Sequence, residues 1–180
     1  MKNNPEWKNI NRVLILGCSG TGKSTLAKLI GKNFNLEVIH LDQHFHNPGW
    51  VPKEQNEFRE IVKQLVQKNK WVMDGTYSNT LKDRIPAADL IILFDFPSYF
   101  CVYRVLTRCF KSKLGIEVRS DLPMDCEEKW FDWEFVKFVW NFKKTRTPVV
   151  NEILEESEFD KEKIIIFRKT EEVNGVMTAQ

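Results

Sequence analysis

The sequence predicts a three-layer α/β/α fold, in which helices cover both faces of a five-stranded parallel sheet. Short apolar runs alternate along the chain with segments of helical periodicity, an order that is typical of parallel sheets. The first run, residues 13–16, shows no alternation of apolar and polar residues, as expected for a strand that is buried on both faces. The chain shows no internal repeat or linker, so we expect a single domain over residues 1–180.

In the amino-terminal half, strands and helices follow one another with short connections. The strand over 13–16 leads through Gly17 into a predicted helix over 23–33. A second strand over 37–41 is followed by a polar and aromatic stretch, and Pro52 then begins a helix that ends at 68–70. The apolar stripe of this helix comprises Phe58, Ile61, Val62, Leu65 and Val66.

The carboxy-terminal half continues the alternation and supplies the other three strands. Its predicted elements are a strand over 71–75, a short helix over 78–84, a strand over 89–95, an amphipathic helix over 98–113, a loop over 114–126, an aromatic-rich helix over 127–144 and a strand within 163–168. Pro97 ends the fourth strand.

The composition favours a soluble globular protein without a dedicated surface for nucleic acid. Apolar residues make up 42% of the 180 residues, and the formal net charge is +2, too small to indicate a strongly basic face. The four cysteines show no spacing typical of a zinc site, and we expect free thiols. No apolar run reaches the length of a membrane span, and no secretory signal is evident. We therefore expect a cytoplasmic protein with no membrane association.

The most specific motif is a phosphate-binding loop. Residues 17–24 read Gly-Cys-Ser-Gly-Thr-Gly-Lys-Ser and match the pattern G-x-x-x-x-G-K-[ST] between a buried strand and a helix. The glycines allow backbone N–H groups to surround a phosphate at the helix N-terminus. Lys23 is expected to reach the β- and γ-phosphates of ATP, and the Ser24 hydroxyl to bind Mg²⁺. The predicted nucleotide-binding residues are Gly17, Cys18, Ser19, Gly20, Thr21, Gly22, Lys23, Ser24 and Thr25. The fold prediction is thus a P-loop NTPase.

Acids at the ends of parallel strands complete the predicted site. Asp42 follows the second strand, where it would contact or deprotonate an acceptor hydroxyl, and Asp74 ends the third, where it would hold Mg²⁺ or contact the acceptor. Asp95 is interpreted as a structural acid in a turn. His44 is a candidate acceptor contact. A transition-metal site formed by the three histidines is disfavoured, because Mg²⁺ already serves phosphate chemistry.

These residues resemble the adenylate-kinase-like P-loop small-molecule kinases, and more closely the bacterial family of DNA topology modulation proteins. The resemblance rests on the phosphate loop, Asp74-Gly75, the run 94–97, and the aromatic segment between 121 and 142. It implies a kinase-type acceptor segment over about 42–68 and a lid over about 111–128. Thr76 follows Gly75 where adenylate kinases continue with Phe-Pro-Arg, which argues against AMP as the acceptor.

The resemblance also implies that arginines close over the phosphates. Arg104 and Arg108 lie four residues apart on one predicted helix face, Arg119 lies in the predicted lid, and Arg146 follows the aromatic helix. Arg59 is similar to the acceptor-binding arginine of shikimate-type kinases. The predicted catalytic residues are Lys23, Asp42, Arg104, Arg108 and Arg119, and the predicted acceptor-binding residues are Asp42, His44, Arg59 and Asp74.

Two functions remain open at this point. The first is transfer of the ATP γ-phosphate to a small acceptor, such as a nucleotide, nucleoside or similar metabolite. The second is a nucleotide-dependent regulator that binds DNA or a protein and has weak or no kinase activity. The aromatic residues between 130 and 142 fit core packing, a base-stacking platform or a dimer interface.

Overall fold

A computed structural model describes residues 9–116, 122–123, 125–126 and 132–177. Its main sheet has five parallel strands, which confirms the predicted α/β class. The amino-terminal elements are β1 Arg12–Gly17, α1 Lys23–Phe34, β2 Glu37–His40, α2 Leu41–Phe45, β3 His46–Asn47, β4 Val51–Pro52 and α3 Gln55–Leu65. The later elements are β5 Trp71–Asp74, α4 Leu81–Arg84, β6 Leu90–Phe94, α5 Ser98–Lys113, α6 Trp133–Thr145, α7 Thr147–Glu156, β7 Ile164–Phe167 and α8 Thr170–Met177.

The strand order of the main sheet is β2-β5-β1-β6-β7, with β1 at the centre. After β1 the chain forms β2 and β5 on one side of that strand, and then β6 and β7 on the other side. Loops at the carboxyl ends of β1 and its neighbours therefore diverge on either side of the central strand. Such a switch point is where open α/β sheets bind ligands.

Alternate residues of the strands build a core on each face of the sheet. Val13 and Ile15 contribute to one cluster, which includes apolar residues of α1, α5 and α6. Leu14 and Leu16 contribute to the other, which includes apolar residues of α3, α4 and α7. This division follows from the two-residue side-chain period of a strand and produces the three predicted layers.

The structure differs from the sequence prediction mainly outside the strands. Leu41, predicted to end the second strand, instead begins the short helix α2, and the following stretch forms an antiparallel hairpin of β3 and β4. Helix α3 begins at Gln55 rather than at Pro52. Helices α7 and α8 were not predicted.

Residues 117–121, 124 and 127–128 of the predicted lid lie outside the described residues, as do residues 127–131 at the start of the predicted aromatic helix. No helix in the described ranges is long and apolar enough to cross a membrane.

Candidate active site

The phosphate loop connects the central strand β1 to α1 and has the backbone that its glycines predict. Gly20 and Gly22 adopt left-handed conformations, with φ of 82° and 97°. A Cβ atom on Gly20 would lie 2.5 Å from the carbonyl oxygen of Cys101, so a larger residue would push the loop away from α5. The loop therefore places its amides at the positive end of a 12-residue helix, an arrangement that suits a phosphate group.

Lys23 and Thr21 hold the loop from within. The Lys23 Nζ donates a hydrogen bond to the carbonyl oxygen of Cys18 at 2.7 Å, and the Thr21 hydroxyl donates to the same oxygen at 2.9 Å. The Cys18 thiol points away from the loop and donates to the Val139 carbonyl at 3.7 Å. Cys18 thus contributes its backbone to the loop, while its side chain is buried.

A carboxylate stands beside the first turn of α1, next to the hydroxyl that the sequence analysis expects to bind Mg²⁺. The Ser24 hydroxyl donates to Asp74 Oδ2 at 2.6 Å, and Asp74 Oδ1 is 2.7 Å from His40 Nδ1. The pairing of β2 with β5 sets His40 opposite Asp74 at the ends of the two strands. Both side chains are buried. Hydroxyl and carboxylate oxygens are ligands that Mg²⁺ accepts, so this donor set fits that ion.

The loop after β5 is attached to the phosphate loop through Thr76. The backbone N–H of Gly17 donates to the Thr76 hydroxyl at 3.0 Å, and that hydroxyl donates to the Gly17 carbonyl at 2.8 Å. Below the loop lies Arg84, which is fully buried. Its guanidinium donates to the carbonyl oxygens of Gly75, Thr76 and Tyr77 at 2.8, 2.6 and 2.9 Å. Arg84 therefore fixes the path of the backbone over residues 75–77.

The same loop positions Tyr77 against Asp42. The Tyr77 hydroxyl donates to Asp42 Oδ1 at 2.6 Å. Burial, together with the nearby charge of Asp42, raises the pKa of Tyr77 well above its usual value, so the phenol stays protonated. Tyr77 also packs on Phe45 and Phe58, with ring centroids 4.9 and 5.0 Å apart. Asp42 is therefore oriented by a neutral donor.

These groups surround a cleft of about 1030 Å³ along the carboxyl ends of the strands. On the side of β2 and β5 the cleft is lined by Asp42, Phe45, His46, Trp50, Gln55, Asp74, Gly75, Thr76, Tyr77, Ser78 and Asn79. On the side of α5 and α6 it is lined by Tyr103, Arg104, Thr107, Arg108, Lys111, Asp132, Phe135, Phe138, Phe142 and Arg146. The phosphate loop lies between these two sides. We call the side of β2 and β5 the acceptor side, and the side of α5 and α6 the donor side.

The predicted arginines of α5 lie on the donor side. A Cβ atom on Gly22 would come within 3.7 Å of the Arg104 guanidinium, so this side chain reaches the phosphate loop. The Arg104 guanidinium also lies over the Phe100 ring, 5.6 Å from its centroid. Arg108 and Arg146 line the same side. Arg119 lies outside the described residues.

The structure does not bring two of the predicted acceptor residues to the cleft. Arg59 faces Asp83, with Nε 2.8 Å from Oδ2, and does not line the cleft. His44 also lies outside the lining. Burial and the charge of Lys68 lower the pKa of His44. One turn of helix α2 places Asp42 and His44 on different faces, whereas an extended strand would have placed them on one.

The described aromatic residues of α6 divide between the core, the wall of the cleft and the surface. Val139 and Phe142 of α6 are buried, while Trp133 and Trp140 are more than half exposed at 57% and 54%. Phe135, Phe138 and Phe142 line the donor side. Trp130 and Phe131 lie outside the described residues.

Four residues of the site were not singled out for their roles from the sequence: His40, Thr76, Tyr77 and Arg84. Three of them act through a partner distant in sequence, as Asp74 is for His40 and Gly17 for Thr76, whereas Arg84 binds backbone carbonyl groups seven to nine residues before it. The one local indication of a role was that Thr76 and Tyr77 closely follow the predicted site residue Asp74 in the sequence.

Known proteins resemble parts of this chain in sequence. The profile of the ATPase family associated with various cellular activities (AAA) matches residues 13–82. An adenylate kinase of Buchnera aphidicola subsp. Acyrthosiphon pisum is 29% identical over 89 residues, which are 48% of this chain and 40% of that enzyme. The chain thus aligns with less than half the length of that relative. A Thermococcus kodakarensis protein named "Putative adenylate kinase" is 29% identical over 151 residues, 79% of this chain and 82% of that protein.

Solved structures of P-loop kinases share the fold. The shikimate kinase from Acinetobacter baumannii, in complex with shikimate, superposes with a TM-score of 0.60 at 12% identity, covering 94% of this chain and 90% of that one. The shikimate kinase from Bacteroides thetaiotaomicron gives a TM-score of 0.53 at 15% identity, covering 93% and 94%. The chain therefore has the α/β fold of shikimate-kinase-like P-loop NTPases.

Proposed function

We propose that this protein is a kinase that transfers the γ-phosphate of ATP to a hydroxyl group of a small acceptor, with Mg²⁺ as cofactor. One observation carries the proposal: the phosphate loop and the Ser24–Asp74 contact at 2.6 Å lie between a cationic wall and a carboxylate, Asp42, in one cleft. Phosphoryl transfer needs this combination, because the developing charge must be neutralised while the nucleophile is positioned.

The donor would lie along the phosphate loop. Its phosphates would accept hydrogen bonds from the loop amides, and Lys23 would leave the Cys18 carbonyl to contact the β- and γ-phosphates. Arg104 and Arg108 would stabilise the negative charge that develops on the transferred group. Ser24 and Asp74 would hold Mg²⁺, which supplies charge neutralisation on the phosphate oxygens when bound. Arg119 stays a predicted contributor outside the described residues.

The acceptor would bind beside Asp42. The acceptor oxygen forms a bond to the γ-phosphorus as the bond to the β–γ bridging oxygen breaks, so that ADP leaves. Asp42 would take the proton of the acceptor hydroxyl. Its partner Tyr77, at 2.6 Å, keeps one carboxylate oxygen hydrogen-bonded and so directs the other toward the acceptor.

The test compares Lys23→Met with a matched change at Lys32, an exposed residue of the same helix α1. Lys23→Met is expected to lower kcat for ATP-dependent phosphorylation of a pooled acceptor set by about 100-fold or more, since removal of one charge-stabilising donor costs that much in other enzymes. Lys32→Met is expected to retain the wild-type rate and the same circular dichroism.

A second variant, Asp42→Asn, separates the acceptor role from nucleotide binding. Acceptor-dependent ADP release is expected to fall while the affinity for ATP stays within about twofold. Slow ADP release that no acceptor stimulates in the wild-type protein would contradict the kinase proposal and favour a nucleotide-dependent regulator, for which salt-sensitive DNA binding would be the next measurement.

A further inference from the structure

The two sides of the cleft differ in charge. Among the described residues, the donor side and α1 contribute six cations to the lining, with Asp132 as an acid among them: Lys23, Lys28, Arg104, Arg108, Lys111 and Arg146. The described acceptor side contributes two carboxylates, Asp42 and Asp74, of which Asp74 is the proposed Mg²⁺ ligand. An anionic acceptor would therefore approach a surface of its own sign at the point where it must bind.

Three cations on the segments that form the acceptor side are engaged with other protein groups. Lys53 donates to Asn47 Oδ1 and lies 3.6 Å from Glu57. Arg59 is paired with Asp83. Arg84 is fully buried beneath the loop and directs its guanidinium to backbone carbonyl groups. Each of these three side chains thus has its charge directed to protein groups and away from the cleft.

The remaining surface of the acceptor side suits an uncharged hydroxylated ring. Asn79 donates to the side-chain oxygen of Gln55, so that two amides at the rim offer neutral donors and acceptors. His46 lies against Phe45 and Trp50, with ring centroids 4.7 and 5.2 Å apart. Aromatic walls with a few fixed polar groups are typical of sites for small uncharged ligands.

We propose that the acceptor is a hydroxylated ring compound without an anionic group, such as a nucleoside or a neutral sugar. The inference rests on the proposed kinase function and extends it to the substrate class. The names of adenylate kinase and shikimate kinase indicate acceptors that are anionic, a nucleotide and shikimate. The acceptor proposed for this protein differs from both in having no anionic group. Its physical basis is that a phosphate or carboxylate on the acceptor would lie near Asp42 without a cation from the described acceptor side.

The experiment compares acceptors in matched pairs that differ in charge: adenosine with adenosine 5′-monophosphate, glucuronamide with glucuronate, and the methyl ester of shikimate with shikimate. Phosphorylation is followed with Mg·ATP, and binding is measured by calorimetry on the protein saturated with a non-hydrolysable ATP analogue. At least one neutral member is expected to bind and react at least tenfold better than its anionic partner.

A charge introduced at the rim provides a second readout. Gln55→Arg places a cation on the acceptor side and is expected to shift the ratio of neutral to anionic affinity at least tenfold toward the anion. Gln64→Arg makes the same change at an exposed position of α3 outside the lining and is expected to leave the ratio unchanged.

The outcomes separate this inference from the kinase proposal. Efficient phosphorylation of anionic members alone would overturn the inference and leave the kinase proposal standing. If no acceptor reacts, the kinase proposal fails, and the calorimetric preference still decides the inference. Equal binding of both members within about twofold, tighter binding of the anions, or no binding of any member would overturn it.

Discussion

Replacing the buried Arg84 by methionine tests whether this residue supports the site. Methionine keeps an unbranched side chain of similar length, so little packing is lost, but the carbonyl oxygens of Gly75 and Thr76 lose their donors. The Tyr77 carbonyl loses one donor and keeps two, the backbone N–H and the hydroxyl of Thr80. Each unsatisfied buried acceptor costs about 1–3 kcal/mol, and two together cost roughly 2–6 kcal/mol.

The removal of the guanidinium also relieves a cost. Burial lowers the pKa of Arg84, which shows that the folded protein disfavours this charge. The effective penalty for burying an ion is several kcal/mol, so part of the loss is offset. We expect a net decrease of about 1–3 kcal/mol in the free energy of unfolding, which for a chain of this size lowers Tm by roughly 2–12 °C.

The assay is urea unfolding followed by tryptophan fluorescence, with Lys82→Met as the control. Lys82 lies on the same short helix α4 but pairs with the exposed Glu156 at 3.1 Å, and its replacement should change stability by less than about 0.5 kcal/mol. A typical single substitution lowers the free energy of unfolding by about 1 kcal/mol. A decrease smaller than this for Arg84→Met would refute the reasoning. The hydrogen bonds would then add nothing beyond the cost of burying the charge.

Further predictions concern the contacts of the site. Thr76→Val removes both hydrogen bonds to Gly17 and is expected to weaken ATP binding about 5- to 30-fold, equivalent to about 1–2 kcal/mol. Titration with a fluorescent ATP analogue measures the Kd, and an unchanged Kd would contradict this prediction. His40→Phe leaves Asp74 Oδ1 without its 2.7 Å partner and should destabilise the fold by about 1–3 kcal/mol in urea. Because the pKa of His44 is lowered in the folded protein, the unfolded chain binds that proton more readily, so stability is full above pH of about 6.5 and falls below it. His44→Gln should reduce the difference in Tm between pH 7.5 and 5.5; an unchanged difference would assign the pH dependence to other groups.

The strands and the phosphate loop could be predicted from the sequence because their signals are local. The apolar run at 13–16, the glycine turn and the helix that follows are contiguous, and the motif fixes the loop without reference to distant residues. Helix α7 was missed although Pro148 stands in its first turn, where proline is common. Its buried face contains only Val150 and Leu154, which are too few apolar residues to indicate helical periodicity.

The remaining parts of the site depend on contacts that no local pattern encodes. Asp83 and Arg84 are adjacent in the sequence, yet Asp83 pairs with Arg59 of another helix while Arg84 is fully buried. A lone arginine in a short polar helix is ordinarily exposed, so nothing in the local sequence indicates that Arg84 is buried. The placement of His40 opposite Asp74 follows from the register of two strands separated by a helix, which composition does not specify.

The position of β1 at the centre of the sheet allows the two sides of the cleft to differ in charge. The chain forms β2 and β5 on one side of β1 and β6 on the other, so the loops that line the two sides come from different parts of the sequence. The cations Arg104 and Arg108 follow β6, whereas Asp42 and Tyr77 follow β2 and β5. Rim residues of the acceptor side such as Gln55 can therefore change without altering the contacts to the phosphates of ATP, whereas Asp74 and Thr76 also contact the phosphate loop and its helix. This separation is why a single substitution at Gln55 is expected to alter the choice of acceptor while leaving nucleotide binding intact.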